Sequence, residues 1–420
     1  TAAEEALAKA EADVISNAIK TIDAIGKVTA DSKDKIENAK DAYSAVPERL
    51  RDKVTNSDTL DKATERFAVI DTIKQAGTKS EEHFSTVLGT LADNNIYPVQ
   101  SIGGEWSVIA LARAGKLSAD KAAKYYSELC EAVKANGSDR LSDRKPTENA
   151  RVIIALSSLG KNSADIAGHN LLSGLDDMDY ITSQGINAVI FSLIAFDTTD
   201  YSAKTHDELI TYIVDNMTGK GWALAGDTAD VDITAMAIQA LAPYAADEKV
   251  NAAIDSGLEF LAESLDENAR YANGSESTSQ VIIALAALGI DPLTDSRFIV
   301  DGITLIDALE SYATENGYSH TLDGEENYMA TEQAALALTA YELSKDGTSL
   351  YEMSAKAEPT EPENPDTPVQ PGDSVKPGDC SGKPDDKNDP INPGTGVLVT
   401  GGMAVLISGA VMLISKKKRK

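Results

Sequence analysis

One phrase recurs through the middle of the chain, a polar or acidic lead followed by a run of small and aliphatic residues that ends on leucine. Its six copies begin at Glu105, Glu148, Gln184, Asp230, Glu276 and Glu332 and end at Leu111, Leu156, Leu193, Leu241, Leu285 and Leu338. Successive leucines stand 45, 37, 48, 44 and 53 residues apart, the length of one helical hairpin per repeat. Each run is apolar nearly all round, which predicts a helix buried on most faces. Between the copies lie amphipathic stretches, 120–133, 206–217, 250–265 and 305–312 among them, whose apolar positions recur at helical spacing and leave one face wet. Six buried helices alternating with six half-exposed ones predict an all-α domain over residues 79–354, built as two concentric rings: an (α/α)6 toroid of six helical hairpins.

Residues 1–78 read as a small helical spacer with a pattern of its own. Leu7, Val14, Ala18, Ile22 and Ile25 share one helical face and Gly26 ends that run. A second helix is expected after Asp31. Pro47 suits the first turn of a third, and Asp58 can cap a fourth that carries Leu60, Ala63, Phe67 and Ile70. The other end differs in kind. Residues 355–393 hold nine of the fourteen prolines with hardly an apolar side chain between them, so 355–391 are expected to be an extended, disordered linker. Residues 397–415 are uncharged and mostly apolar, long enough for a transmembrane helix. The five basic residues 416–420 follow at once and would hold that end on the cytoplasmic side.

Charge removes several functions from consideration. With 67 acidic against 38 basic side chains the net charge is -29, which argues against nucleic-acid partners. Cys130 and Cys380 imply no disulfide framework and no zinc spacing. Cys130 reads as a buried apolar residue and Cys380 as an exposed thiol in the linker. The chain opens on Thr1 with neither a charged start nor an apolar leader, so a removed leader or a fragment is expected.

Three resemblances sharpen this picture. Asn392-Pro393-Gly394-Thr395-Gly396, the apolar span and the basic tail together resemble the cell-wall sorting signal of Gram-positive surface proteins. The resemblance implies a sortase that cleaves between Thr395 and Gly396 and joins Thr395 to peptidoglycan. The commonest family pattern begins with Leu where this chain has Asn392, and a plain single-pass anchor is the other reading of the span. The phrase DAYSAVPERLRDKVTNSDTL resembles the helical spacer modules of the same class of surface protein. Over roughly residues 80–350, the glycine-aromatic turns at Gly104-Glu105-Trp106, Gly221-Trp222 and Gly317-Tyr318 resemble those of the α/α-toroid superfamily of prenyltransferase and squalene-cyclase repeats. Within it the likeness is to bacterial surface proteins similar to the helical domain of the transcobalamin and intrinsic-factor family. A corrinoid ligand is what that likeness suggests, although the β-rich domain with which those carriers close over their ligand has no counterpart after residue 354.

If all six inner helices run the same way, Glu105, Arg151, Asn187, Asp232, Gln280 and Glu332 gather at one rim and could ring a ligand-binding mouth. Asp230, Glu276, Trp106, Trp222, Tyr271, Tyr318 and His320 would complete it. Helix capping explains the same acids and amides one by one. Asp230-Val231-Asp232-Ile233-Thr234-Ala235 resembles the acidic motif of class II terpene cyclases, with Asp232 in the place of the proton donor. Ile233 stands where the last Asp belongs, and the inner helices lack the aromatic walls that stabilise a carbocation. Asp227, Asp230 and Asp232 could hold calcium but lack the glycine and terminal Glu of an EF-hand loop. No cofactor and no metal are expected. The function expected is a surface protein anchored to the cell wall, outside the cell, whose toroid binds a small ligand or glycan without catalysis. A glycan-active lyase or hydrolase and an adhesin or display module are the alternatives. A large central cavity favours a binder, a carboxylate pair about 5 to 9 Å apart in an open groove an enzyme, and a filled centre a display module.

Overall fold

The structure is a computed structural model that describes residues 1–94 and 97–353. The expected linker, sorting motif, span and basic tail lie outside the described residues. Among those described the regular structure is helical, with β-pairing confined to isolated bridges, and no helix is long and apolar enough to cross a membrane. Three helices come first: α1 (Ala2–Asp23), α2 (Lys33–Ser44) and α3 (Ser57–Gly77). There follow α4 (Ser80–Asp93), α5 (Ile102–Arg113), α6 (Ala119–Asn136), α7 (Pro146–Ser158), the short α8 (Leu171–Leu175) and α9 (Met178–Thr182), and α10 (Ile186–Asp197). Then come α11 (His206–Asp215), α12 (Val231–Leu241), α13 (Glu248–Glu263), α14 (Ser275–Ala287), α15 (Leu305–Glu310) and α16 (Tyr328–Ser344). α8 packs on α7, α11 on α10, α13 on α12 and α15 on α14, each on the buried helix before it.

The apolar runs become the buried helices that their composition requires. Every residue of α10 from Ile186 to Phe196 is buried, as is every residue of α14 from Ser275 to Ala286. α6, by contrast, buries Tyr125, Tyr126, Leu129, Cys130 and Val133 on one face, the narrow apolar stripe of a helix with a wet side. Ser118 caps its start and Gly137, at φ +66°, ends it. Among the buried helices α5 packs against α7, α7 against α10, α10 against α12, α12 against α14, α14 against α16, and α16 back against α5. Side chains at matching depth meet across these contacts. Asp232 near the start of α12 takes a hydrogen bond from Ser277 near the start of α14, and Gln280 of α14 reaches Gln333 of α16 at 3.2 Å. Neighbours therefore run in the same direction.

The glycine-aromatic turns have a structural purpose. Trp222 N donates to Thr234 Oγ1 at 3.0 Å and Tyr318 N to Thr331 Oγ1 at 2.9 Å. A Cβ on Gly221 or Gly317 would sit 2.4 Å from the same threonine oxygens, so only glycine lets the backbone come this close. The turn thereby pins an aromatic ring beneath the start of the next buried helix. Gly104-Glu105-Trp106 is different. It lies inside α5 and is no turn, and a Cβ on Gly104 would meet Pro98 O at 1.9 Å.

The spacer is docked on the repeats. Ile70 and Ile73 of α3 pack with Ala269, Ile303 and Ala308. Arg66 reaches Asn268 and Asp301, and Lys74 reaches Asp307 at 2.7 Å. Two local expectations are corrected here. Pro47 precedes a 3-10 turn over Glu48–Lys53 instead of opening an α-helix, and α3 starts after Asn56 with Asp58 in its first turn. Buried Cys130 is disulfide-bonded and not a plain apolar thiol.

Candidate functional site

The starts of the buried helices carry the residues expected to form a rim, and the structure joins many of them to one another. Arg151 Nε donates to Glu105 Oε2 at 3.0 Å and Arg151 Nη2 to Glu148 Oε2 at 2.6 Å. Glu105 also accepts from the backbone N–H groups of Gln100 and Ser101 and from Tyr125 OH. Four donors thus hold one fully buried carboxylate. Burial pushes the Glu105 carboxyl above the usual carboxylate range even so, the Arg151 charge opposing it.

Glu332 is in the opposite situation. It is fully buried, its Oε2 takes a hydrogen bond from Ser107 at 3.3 Å, and its Oε1 has no partner among the described residues. Burial holds this carboxyl well above its ordinary value, with Ser107 and the Arg151 charge pulling the other way and Glu105 adding repulsion. The Tyr328 hydroxyl lies 2.9 Å from Ser107 Oγ and donates to Gly103 O at 3.0 Å. Tyr328 is among the few large apolar residues that are exposed, at 41%. The Tyr328 and Ser107 hydroxyls therefore lead from the surface to Glu332 Oε2, and Oε1 of the same carboxyl is left unclaimed among the described residues.

A carboxyl whose value is raised by folding contributes stability below its unfolded value, and that contribution is lost as pH rises through the folded one. Glu332→Gln is accordingly expected to stabilise the chain by about 1 to 3 kcal/mol at pH 8 and to leave little difference near pH 4. Urea unfolding at both pH values checks this. Equal stability of parent and variant at pH 8 would contradict it.

Asp230 serves as the N-cap of α12, accepting from Ile233 N at 3.0 Å. Asp232 is buried and bonded by Ser277. Glu276 is also buried; it takes Ser275 OH at 3.2 Å and pairs with His320 Nδ1 at 2.8 Å. Of that pair only His320 is open to solvent, with about a third of its side chain exposed. Among the described residues no group of three or more His, Cys, Asp or Glu could hold a metal ion.

Trp106 packs against Phe191 with ring centroids 5.5 Å apart. Gln239 Nε2 donates to Gln280 Oε1 at 2.9 Å, and Gln280 Nε2 in turn to Gln333 Oε1, a ladder that ties α12, α14 and α16 together. Asn187 is buried with no partner for Oδ1 among the described residues, and so is Trp106 for its Nε1. Trp222 and Tyr318 are core residues. Trp222 donates Nε1 to Ile213 O at 2.6 Å, and Tyr318 OH to Glu310 Oε1 at 2.6 Å. Tyr271 is buried too, its hydroxyl without a partner among the described residues and pushed well above 10 by that burial.

The rim residues thus fall into two sets. Glu105, Arg151 and Glu332 share one network, Asp232 and Glu276 lie near Ser277 and His320, and Gln280 belongs to the ladder, whereas Trp222, Tyr271 and Tyr318 form the core beneath. Ser107, Phe191, Gln239 and Gln333 were not anticipated as site residues. Only Gln239 carried a signal, as the lone polar residue in Ala237-Ile238-Gln239-Ala240-Leu241. Comparison of the chain with protein-family models, with curated proteins and with solved structures finds no match to any of them.

Proposed function

We propose that the chain is a cell-wall-anchored surface protein whose residues 79–354 form an (α/α)6 toroid of the prenyltransferase and squalene-cyclase repeat type. The toroid binds a small polar ligand or a glycan across the rim at the starts of its inner helices and carries out no reaction on it. The cyclic order of contacts among the six buried helices supports the toroid. The observation that carries the binding site is Glu332, a buried carboxyl with an oxygen that no described residue claims, lying beneath the exposed ring of Tyr328. Such a ring can cover a sugar face while the carboxyl accepts from a hydroxyl. Asp232 and Glu276 are already engaged by Ser277 and His320, which favours binding over acid–base chemistry. The packing of Trp106 on Phe191 supports recognition at the rim over enclosure of a ligand, and it equally favours the adhesin or display reading.

The test is calorimetry of the full chain against wall glycans, host-type glycans and corrinoids, with product analysis in parallel. Tyr328→Ala and Glu332→Gln are each expected to weaken the bound compound by about 1 to 3 kcal/mol. Turnover abolished by Asp232→Asn would replace the binder with an enzyme, and binding indifferent to both rim substitutions would remove the site. Anchoring is tested separately at Thr395, outside the described residues. Thr395→Ala is expected to leave the protein in the membrane fraction, and release of this variant by wall digestion as efficiently as the parent would overturn the sorting reading.

A further inference from the structure

The opposite ends of the same helices frame a second site. A cleft of about 480 Å³ opens where α10, α12 and α14 finish, and Ser349, Tyr351 and Glu352 close its far side. Its volume suits a small organic ligand. One wall is a built polar cluster. Tyr244 OH donates to Asp197 Oδ1 at 2.6 Å, His206 Nε2 approaches the same oxygen at 2.9 Å, and the Tyr244 hydroxyl lies 2.9 Å from His206 Nε2. Both contacts end on Oδ1. Gln239, only 3% exposed, forms part of the lining, and its Oε1 has no hydrogen-bond donor among the described residues.

These groups share one character. The lining offers the carboxylates of Asp197 and Glu352 and the unclaimed Gln239 oxygen, and it contains no lysine, arginine or histidine. The C-terminal ends of α10, α12 and α14 add the negative pole of the helix dipole. Basic side chains stand behind the lining: His206 meets Asp197, and Arg113 lies beside Glu352, where it donates to Ser349 O. Apolar surface from Ile194, Ala240, Pro243 and Ala287 and the rings of Tyr244 and Tyr351 complete the cleft. Aromatic faces beside carboxylates suit an ammonium group that carries carbon substituents. A bare metal ion is served poorly by one His and two carboxylates that form no ligand group. We propose that this cleft binds an organic ammonium ion, its charge held between Asp197, Glu352 and the Gln239 oxygen and its carbon chain laid on the alanines and tyrosines.

The full chain should be titrated calorimetrically with butylammonium, 1,4-diaminobutane and choline, with 1,4-butanediol as the uncharged counterpart. At least one of the amines is expected to bind ten times more tightly than the diol or better, and more weakly as salt is raised. Asp197→Asn and Glu352→Gln should each weaken that amine about tenfold. Glu352 is exposed, so its substitution decides the matter if Asp197→Asn fails to fold. Absence of binding by all three amines, equal binding of the diol, or unchanged affinity in Glu352→Gln together with any folded Asp197→Asn would overturn the proposal.

Discussion

Trp222→Ala is expected to destabilise the folded chain by about 3 to 5 kcal/mol, the range for truncating a large buried aromatic residue. The indole is 0% exposed. It sits under the start of α12, where its backbone N–H is held by Thr234 and its Nε1 by Ile213 O. Gly257 of α13 is a glycine partly because a Cβ there would come within 3.0 Å of the indole ring. Removing the ring therefore empties a space bounded by α12 and α13 that rigid helices cannot close, and leaves the Ile213 carbonyl with only the longer bond from Asn216 N at 3.3 Å. Urea unfolding of parent and variant measures the effect. A rim residue that merely stacked on a ligand would behave otherwise, leaving stability within about 0.5 kcal/mol; that result would return Trp222 to the binding surface.

Arg151→Met is expected to destabilise by a similar amount, about 3 to 5 kcal/mol at pH 8, because it leaves the Glu105 carboxylate buried without its cation. Methionine fills much the same volume, so the loss reports charge more than packing. The sign of the pH dependence follows from the direction of the Glu105 shift. Burial already raises this carboxyl against the pull of Arg151, and without Arg151 the value rises further. A raised folded value means that stability is kept below the unfolded carboxyl value and lost as pH climbs, so the defect should shrink between pH 8 and pH 5. Glu105→Gln on the Arg151→Met background should recover most of the loss at pH 8. A defect independent of pH, or a double variant no better than the single, would show that Arg151 acts through packing.

These two residues also mark where reading the chain succeeded and where it stopped. The repeat was legible because burial leaves a mark in composition: a helix surrounded by other helices cannot carry charge on any face, so the six apolar runs stand out from the amphipathic stretches between them. Arg151, Asp232 and Glu332 were legible as special for the same reason, being charges at the edge of runs that otherwise exclude them. What each charge does was not legible. Glu105 lies 46 residues from Arg151 and Ser107 lies 225 from Glu332, and no local pattern records which lead residue meets which.

Trp222 and Tyr318 show the limit most plainly. A glycine-aromatic turn next to a polar lead reads as a mouth lined with rings, but the rings turn inward because Gly221 and Gly317 let the backbone close on Thr234 and Thr331. The Asp197, His206 and Tyr244 cluster carried no sequence signal at all, since its members come from the end of one buried helix, the start of α11 and the turn after α12. The sequence by itself determined the helical class, the sixfold repeat and which runs are buried, because those follow from hydrophobicity at a local period. Only the tertiary structure decided which carboxyls are satisfied, which oxygens are left unclaimed and at which end of the helices a cleft opens, because those depend on distances between residues that the chain keeps far apart.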